Sequence, residues 1–284
     1  MAMRYYIVDA FTDEPFGGYP AGVVLLDGDF PDEQLMQQVA AELRYSETAF
    51  VHRQGPAEFT VRYFTPCGEV DLCGHATIAT FGLLHREGLV PDGATCLNHT
   101  LAGDLKVRIG DQVMMQMAAA SHVDLPLDVE NLHRIMSAGD NNIEWPDLPV
   151  EIISTGLPDI IMPVAGLEAL NALRPDMEAL TNLSQELNVV GVHAFAMADD
   201  GYTAHVRDFA PLYDIPDESA TGTANASLTY YLQQFGCLGT EAECAFIQGE
   251  AMGRPSVIAT RIQADGNIFV GGTAAVVAEG ELMV

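Results

Sequence analysis

Basic residues are scarce in this chain: 12 Lys+Arg stand against 40 Asp+Glu, and Lys106 is the only lysine. The resulting formal charge of −28 excludes sequence-independent binding of DNA or RNA, which needs a cationic surface to displace counterions. It also works against docking on an anionic membrane leaflet. Long apolar runs are missing too; the stretch around Ile78–Leu84 is far short of a bilayer span. No signal-peptide pattern follows Met1-Ala2-Met3-Arg4, so the expectation is a soluble, cytoplasmic protein. The five cysteines (Cys67, Cys73, Cys96, Cys237, Cys244) are odd in number and irregularly spaced, which implies no disulfide framework and fits a reducing compartment. Ala220-Thr221-Gly222-Thr223 lacks the lysine of a phosphate-binding loop, and no Gly-x-Ser-x-Gly elbow supplies a serine nucleophile. The acidic, lysine-poor composition fits either a saline habitat or plain solubility by self-repulsion, and neither speaks to chemistry.

What the chain does have is a repeat. Its 284 residues, 49% of them apolar, suit two domains or one large α/β domain. Val61-Arg62-Tyr63-Phe64-Thr65-Pro66 matches Val206-Arg207-Asp208-Phe209-Ala210-Pro211 at four of six positions. At the same offset of 145, Ala49-Phe50 falls on Ala194-Phe195, which sets Val192 opposite Glu47. One residue out of that register, Pro31-Asp32 falls on Pro175-Asp176, each opening a helical pattern: Leu35, Val39 and Leu43 in one copy, Leu180, Leu183 and Leu187 in the other. Beyond the Phe-x-Pro signal the second copy gains three residues, after which Gly74 to Gly88 matches Gly222 to Gly236. Each of these stretches reads as a helix opened by one glycine and capped by another. The first is apolar almost all round and must be buried. Tyr5–Val8, Gly22–Leu26, Ala49–Val51 and Phe59–Phe64 read as strands bounded by Gly, Pro and Asp.

The expected fold is therefore α/β (α+β): two duplicated, pseudo-symmetric lobes, each wrapping strands around a central helix. The first lobe spans residues 1–117 and the second 118–284, with Ile268–Val277 a strand open to pairing with either. No low-complexity linker separates them, so close packing of the lobes is expected.

A helix that starts at glycine presents bare N–H groups and the positive end of its dipole. Two such ends, Gly74 and Gly222, are expected to face one another across the cleft and hold a carboxylate or an oxyanion. Asp71, Cys73 and His75 surround the first end; Glu218, Ser219, Thr221 and Thr223 surround the second. A histidine in a first helical turn has its cationic form disfavoured, so His75 is expected to be neutral at pH 7. Asp71 reads equally well as a turn cap. Glu47, in Ser46-Glu47-Thr48, leads into the strand Ala49-Phe50-Val51, where burial would raise its pKa toward the range a general acid/base needs. An acid in one lobe, opposite an apolar residue in the other, is not required by the scaffold.

Sulfur is asymmetric as well, since Cys73 is matched by Thr221. A racemase with paired thiols is thereby excluded. One carboxylate that takes a proton from one carbon and returns it to another remains open, and that points to isomerisation. Cys67, Cys73, His75, Cys96 and His99 could be drawn as a zinc set, with Cys96-x-x-His99 as one arm. Cys73 and His75, however, lie at a helix start that the repeat explains without metal, and the counterpart of Cys67 is Ile215, so no metal is expected.

Asp9-Ala10-Phe11, Pro20-Ala21-Gly22-Val23, Ser46-Glu47-Thr48-Ala49-Phe50, Asp71-Leu72-Cys73-Gly74-His75-Ala76-Thr77, Ala220-Thr221-Gly222 and Gly253-Arg254-Pro255-Ser256 resemble the PhzF-like phenazine-biosynthesis isomerase/epimerase family, related in fold to diaminopimelate epimerase. The resemblance runs essentially end to end. It implies two duplicated lobes, a site between them, no cofactor, and a homodimer. In the family's characterised isomerase, a glutamate matching Glu47 moves a proton between carbons of a dihydro-hydroxyanthranilate. The family's histidine, aspartate and serine fall on His75, Glu218 and Thr223. The chain departs from the family pattern at Gly18-Tyr19-Pro20, where Gly-Asn-Pro is usual, and at Glu218 and Thr223 themselves. The resemblance thus carries over the proton-transfer core, and not the phenazine substrate.

Three readings follow. The first is a cofactor-independent isomerase of a small carboxylate-bearing substrate, with Glu47 as base and then acid, His75 and Glu218 orienting, and Ser46, Asp71, Cys73, Gly74, Thr221, Gly222 and Thr223 binding. The second is a racemase or epimerase using Cys73. The third is a non-catalytic small-molecule-binding protein.

Overall fold

The computed structural model describes residues 2–137 and 148–284, and the chain divides into two compact units: one runs to Gln116 and resumes at Gly271, the other spans Met117–Val270. In the first unit β1 (Ala2–Ala10) pairs antiparallel with β2 (Tyr19–Leu26). The chain crosses through α1 (Glu33–Leu43) to β3 (Thr48–Gly55), which lies parallel to β2. β4 (Glu58–Phe64) returns antiparallel, and the short β5 (Glu69–Val70) folds back on its end. Helix α2 (Gly74–Arg86) then leads to β6 (Thr95–Thr100), parallel to β4, followed antiparallel by β7 (Gly103–Arg108) and β8 (Val113–Gln116).

The second unit opens with β9 (Ser121–His122) and α3 (Val129–Ile135). β10 (Glu151–Ser154) pairs antiparallel with β11 (Pro158–Pro163), and α4 (Leu167–Ala172) and α5 (Met177–Leu187) cross to β12 (Val192–Met197), parallel to β11. β13 (Ala204–Ala210) returns antiparallel and β14 (Ile215–Glu218) folds back on it. Helix α6 (Gly222–Gln234) leads to β15 (Ala242–Gln248), parallel to β13, and then to β16 (Ser256–Ile262) and β17 (Ile268–Gly272). The sequence of pairings thus occurs twice: antiparallel, parallel across a helix, antiparallel, fold-back, parallel across a central helix, antiparallel. The last strand, β18 (Ala274–Met283), pairs antiparallel with β1 and belongs to the first unit. Its break from β17 at Thr273 divides the stretch that reads as one strand in the sequence.

Local chemistry accounts for the helices. Asp32 and Asp176 cap α1 and α5, their carboxylates accepting from Gln34 N (2.8 Å) and Ala179 N (3.1 Å). Both helices end on a left-handed residue, Arg44 or Asn188. The central helices α2 and α6 end through Gly88 (φ 69°) and Gly236 (φ 75°), whose N–H groups donate to His85 O and Gln233 O. On α1 the fully buried residues are Met36, Val39 and Ala40; Leu35 and Leu43 flank that stripe.

The central helices organise the cores. Helix α2 is buried on nearly every face, from His75 to Leu84, and packs against β1, β2, β3, β8 and β18. Helix α6 packs against β10, β11 and β16, and two of its buried polar residues are tied back to its own backbone: Thr229 Oγ1 donates to Asn225 O and Asn225 Nδ2 to Thr221 O. The Val-Arg-x-Phe-x-Pro repeat forms an arginine clamp just ahead of each central helix. Arg62 donates two 2.6 Å bonds to Glu69 over the Phe64 ring; Arg207 donates bonds of 2.8 and 3.1 Å to Asp217 over the Phe209 ring. Each clamp fixes the fold-back strand from which the chain enters the helix. Among the described residues, no helix is long and apolar enough to cross a membrane.

Candidate active site

In the first unit the chain leaves α1 through Arg44 and enters β3 at Thr48, so Ser46 and Glu47 lie at the mouth of the strand. The backbone there is held by Gly22 N donating to Glu47 O (3.1 Å). Glycine is needed opposite, because a Cβ on Gly22 would stand 2.8 Å from Thr48 Oγ1. This anchor turns the Glu47 side chain inward, 19% exposed, with Oε2 buried and 3.2 Å from His75 Nε2. The approach is not aligned as a hydrogen bond, and Oε2 has no other hydrogen-bond partner.

His75, the second residue of α2, is the hub. Ser46 Oγ lies 3.2 Å from its Nε2, Cys73 Sγ lies 3.4 Å from its Nδ1, and the Tyr19 ring stacks on it at 3.9 Å and 12°. Burial lowers the imidazole pKa, with the Glu47 carboxylate pulling the other way. The ring is therefore neutral at pH 7, as expected, although burial is the leading cause and the helix dipole is not needed. A neutral imidazole has one donor and one acceptor nitrogen, which suits it to orient both a carboxylate and a substrate.

Gly74 and Gly222 open the two central helices, each preceded by an extended cap residue, Cys73 or Thr221, whose side chain does not cap the helix. Neither glycine is left-handed, and an added Cβ would meet only ordinary contacts, 3.8 Å from Met115 Cε and 3.5 Å from Val270 Cγ1. Turn geometry therefore does not demand glycine at either place.

At the head of α6 the second unit builds a different group. The Thr221 hydroxyl lies against the Glu218 carboxylate and 3.1 Å from Asp208 Oδ2. Gln248 ties these together, with Nε2 donating to Glu218 O (2.9 Å) and Oε1 accepting from Thr221 N (3.1 Å). His193 Nδ1 is 2.9 Å from Asp208 Oδ1, both residues being buried. Asp159 is buried with neither carboxylate oxygen hydrogen-bonded, and its pKa is pushed well above the usual carboxylate range by burial first and then by Asp208 and Glu218. Thr223 is half-buried, its carbonyl accepting from Thr155 Oγ1 at 2.9 Å.

The structure thus gathers Ser46, Glu47, Cys73 and His75 in one unit, and Glu218 and Thr221 in the other. Asp71 stands apart: it is exposed at the end of β5, with its carbonyl accepting from Ala102 N. The position matching Glu47 also differs from the sequence alignment. Ile160 N donates to Gly191 O (3.0 Å) in the way that Gly22 N donates to Glu47 O, so the counterpart is Gly191 and not Val192. The strands β3 and β12 follow the helix offset of 144, and the extra residue enters in the hairpin before β13. The sequence-drawn zinc set does not assemble. Cys67 is exposed, Cys96 is buried in β6, and His99 is held by Asp104 and Glu58. Asp159, His193 and Gln248 were not singled out by sequence reasoning, and Tyr19 was marked only as a departure from the family pattern. Asp208 left a visible signal, as the acid that replaces Tyr63 inside the repeat.

Comparison with known proteins agrees with this architecture. The family model for phenazine biosynthesis-like protein, PhzC-PhzF, matches residues 8–280. An uncharacterized isomerase from Deinococcus radiodurans is 37% identical, the match covering 98% of this chain and 94% of that protein. The crystal structure of the Bacillus anthracis phenazine biosynthesis protein of the PhzF family superposes with a TM-score of 0.90 at 28% identity, covering all of both chains. A hydroxyproline epimerase from Agrobacterium vitis, at 13% identity and a TM-score of 0.63 over 99% of this chain and 91% of that one, shares the fold alone. Matched along nearly its whole length by model, sequence and structure, the chain belongs to the phenazine biosynthesis-like PhzC-PhzF family.

Proposed function

We propose that this protein is a cofactor-independent isomerase that moves a proton on a small carboxylate-bearing substrate, with Glu47 as base and then acid. The observation that carries this reading is the state of Glu47: Oε2 is buried, lacks a hydrogen bond, and stands 3.2 Å from a neutral His75. A buried carboxylate oxygen left unpaired costs free energy that the fold does not recover, and a substrate C–H or O–H would supply the missing partner. Ser46 and Tyr19 hold the imidazole in place by one polar contact and one stack, so that His75 can orient the substrate. In the first unit the N–H groups of Gly74 suit an anionic group of the substrate. In the second unit Gly222 and Thr223 offer the same kind of helix start, and Glu218, backed by Thr221 and Gln248, offers a carboxylate beside it.

Relatives described as uncharacterized isomerases support the reaction class. The test is a screen of small carboxylic acids for thermal stabilisation, followed by NMR in D₂O on each hit. Glu47→Gln is expected to cut turnover by ~10²–10⁴ while leaving binding nearly intact. Full activity in that variant on an identified substrate would exclude the role.

A second reading is favoured by Cys73, buried and 3.4 Å from His75 Nδ1. A thiol base would epimerise a single carbon, incorporating solvent deuterium with inversion. A shifted double bond with no inversion assigns the chemistry to Glu47 instead.

A further inference from the structure

We propose that Asp208 holds Glu218 in its neutral acid form at pH 7, the two carboxyl groups sharing one proton through the Thr221 hydroxyl, and that this admits an anionic substrate group to the start of α6. The hydrogen bonds around Thr221 call for that extra proton. A backbone donor fixes which way the Gln248 amide points: Oε1 accepts from Thr221 N at 3.1 Å, and from Asn225 Nδ2 at 3.0 Å. Its Nε2 therefore donates, to Glu218 O at 2.9 Å and to Thr221 Oγ1 at 3.0 Å. A threonine hydroxyl has one proton and two lone pairs. Gln248 takes one lone pair of Thr221, and two carboxyl oxygens, Asp208 Oδ2 at 3.1 Å and Glu218 Oε2, lie against the same hydroxyl. The hydroxyl proton serves one of them. The other contact is a hydrogen bond only when the carboxyl brings its own proton and donates to the second lone pair.

The neighbours decide which carboxyl that is. His193 Nδ1 stands 2.9 Å from the other oxygen of Asp208 and, as a ring N–H beside a carboxylate, donates to it. With the Thr221 proton, Asp208 then has a donor on each oxygen, and Glu218 supplies the extra proton. The surrounding charges agree. Asp159 on β11 is buried without a hydrogen bond, and Asp208 and Glu218 both act on it, so three carboxyl groups crowd one helix start. Like charges so placed do not all ionise. On the neighbouring strand Arg207 is committed to Asp217, and beyond Gln248 the His205 ring stands between Asp200 and Glu250. Tyr213 and Asp214, in the turn ahead of β14, are exposed to solvent.

The first N–H groups of α6 suit an anion, which an ionised Glu218 beside them would repel. The stored proton removes that repulsion. This consequence rests on the proposed carboxylate-bearing substrate; the shared proton rests on the hydrogen bonds alone.

The experiment is an NMR titration of the full chain carrying ¹³C at the glutamate carboxyl carbon. At pH 7 an ordinary glutamate, with a pKa of about 4.3, is charged. One glutamate resonance is expected in the neutral-acid position instead, and Glu218→Gln should remove it. Asp208→Asn leaves the Thr221 proton to Glu218, so the midpoint of that resonance should fall by about one pH unit or more. A merely structural Asp208 would not move it. Absence of a neutral glutamate at pH 7 in the unaltered protein, or its survival in Glu218→Gln, overturns the assignment, and the unaltered protein decides even if a variant fails to fold. An unmoved midpoint in Asp208→Asn overturns the part given to Asp208. Any carboxylic acid that scores in the thermal screen should bind the unaltered protein about tenfold more weakly per pH unit above the midpoint, and bind Glu218→Gln at constant affinity. Flat binding in both overturns the link to substrate and keeps the proton. A neutral Glu218 in a protein that turns over no acid keeps the proton and removes the isomerase.

Discussion

Glu47 and Gly191 hold the same backbone position in the two units. The carbonyl of each accepts from the preceding parallel strand, at 3.1 Å from Gly22 N and 3.0 Å from Ile160 N. One copy carries the carboxylate assigned to proton transfer; the other admits no side chain at all. A Cβ on Gly191 would lie 1.8 Å from Phe209 O, which is backbone and cannot step aside. Gly191→Ala is accordingly expected to lower stability by about 1–3 kcal/mol, at the upper end of that range, as overpacking does. Urea unfolding followed by circular dichroism would show it, and an unchanged midpoint would contradict the equivalence.

Tyr19 covers His75 and keeps water from it. Tyr19→Ala should relieve the burial that depresses the imidazole pKa, which then moves up toward its ordinary value of about 6.5. Below that value the ring is charged and has no acceptor nitrogen, so the acid limb of kcat/KM on any identified substrate should shift to higher pH. An NMR titration of the His75 ring reads the shift directly. Tyr19→Phe, which retains the stack, should leave it in place.

Asp159 sets a pH dependence of stability. Its folded pKa lies above the unfolded value of about 3.9, so between the two the native state keeps a proton that the unfolded chain has released. Stability therefore falls as pH rises through that window, and the cost is absent below it. Asp159→Asn should raise Tm at pH 8 and leave it close to that of the unaltered protein near pH 3.5. A gap of the same size at both pH values would show that the carboxyl does not carry the effect.

The clamp at Arg207 is expected to outweigh an ordinary surface ion pair. Its guanidinium serves Asp217 twice and also donates to Leu170 O and Leu173 O. Arg207→Met would leave a mostly buried carboxylate without that partner, at a cost on the order of 2–3 kcal/mol. Raising the salt concentration should recover little of it, because a partly buried pair is weakly screened.

Much of this was legible in the amino acids. The Asp caps of α1 and α5, the glycine ends of α2 and α6, and the Val-Arg-x-Phe-x-Pro repeat are local signals, each set by residues within a few positions of one another. They were enough to reveal the duplication, to place Cys73 and His75 at a helix start and to place Ser46 and Glu47 at the entrance of a strand. The slip from Val192 to Gly191 was not visible. Ala-Phe matches Ala-Phe in the text, whereas the extra residue lies in a hairpin and only hydrogen-bond register reveals it.

Sequence by itself determined the two-copy architecture, the lone acid ahead of β3 and the absence of a second thiol, because these depend on residue type and short-range spacing. Tertiary structure alone decided that Tyr19 covers His75, that Asp159 is buried beside Asp208 and Glu218, and that β18 returns to pair with β1. Each of those brings together residues far apart along the chain, and the free energy that selects them comes from burial and strand pairing, which no local pattern records.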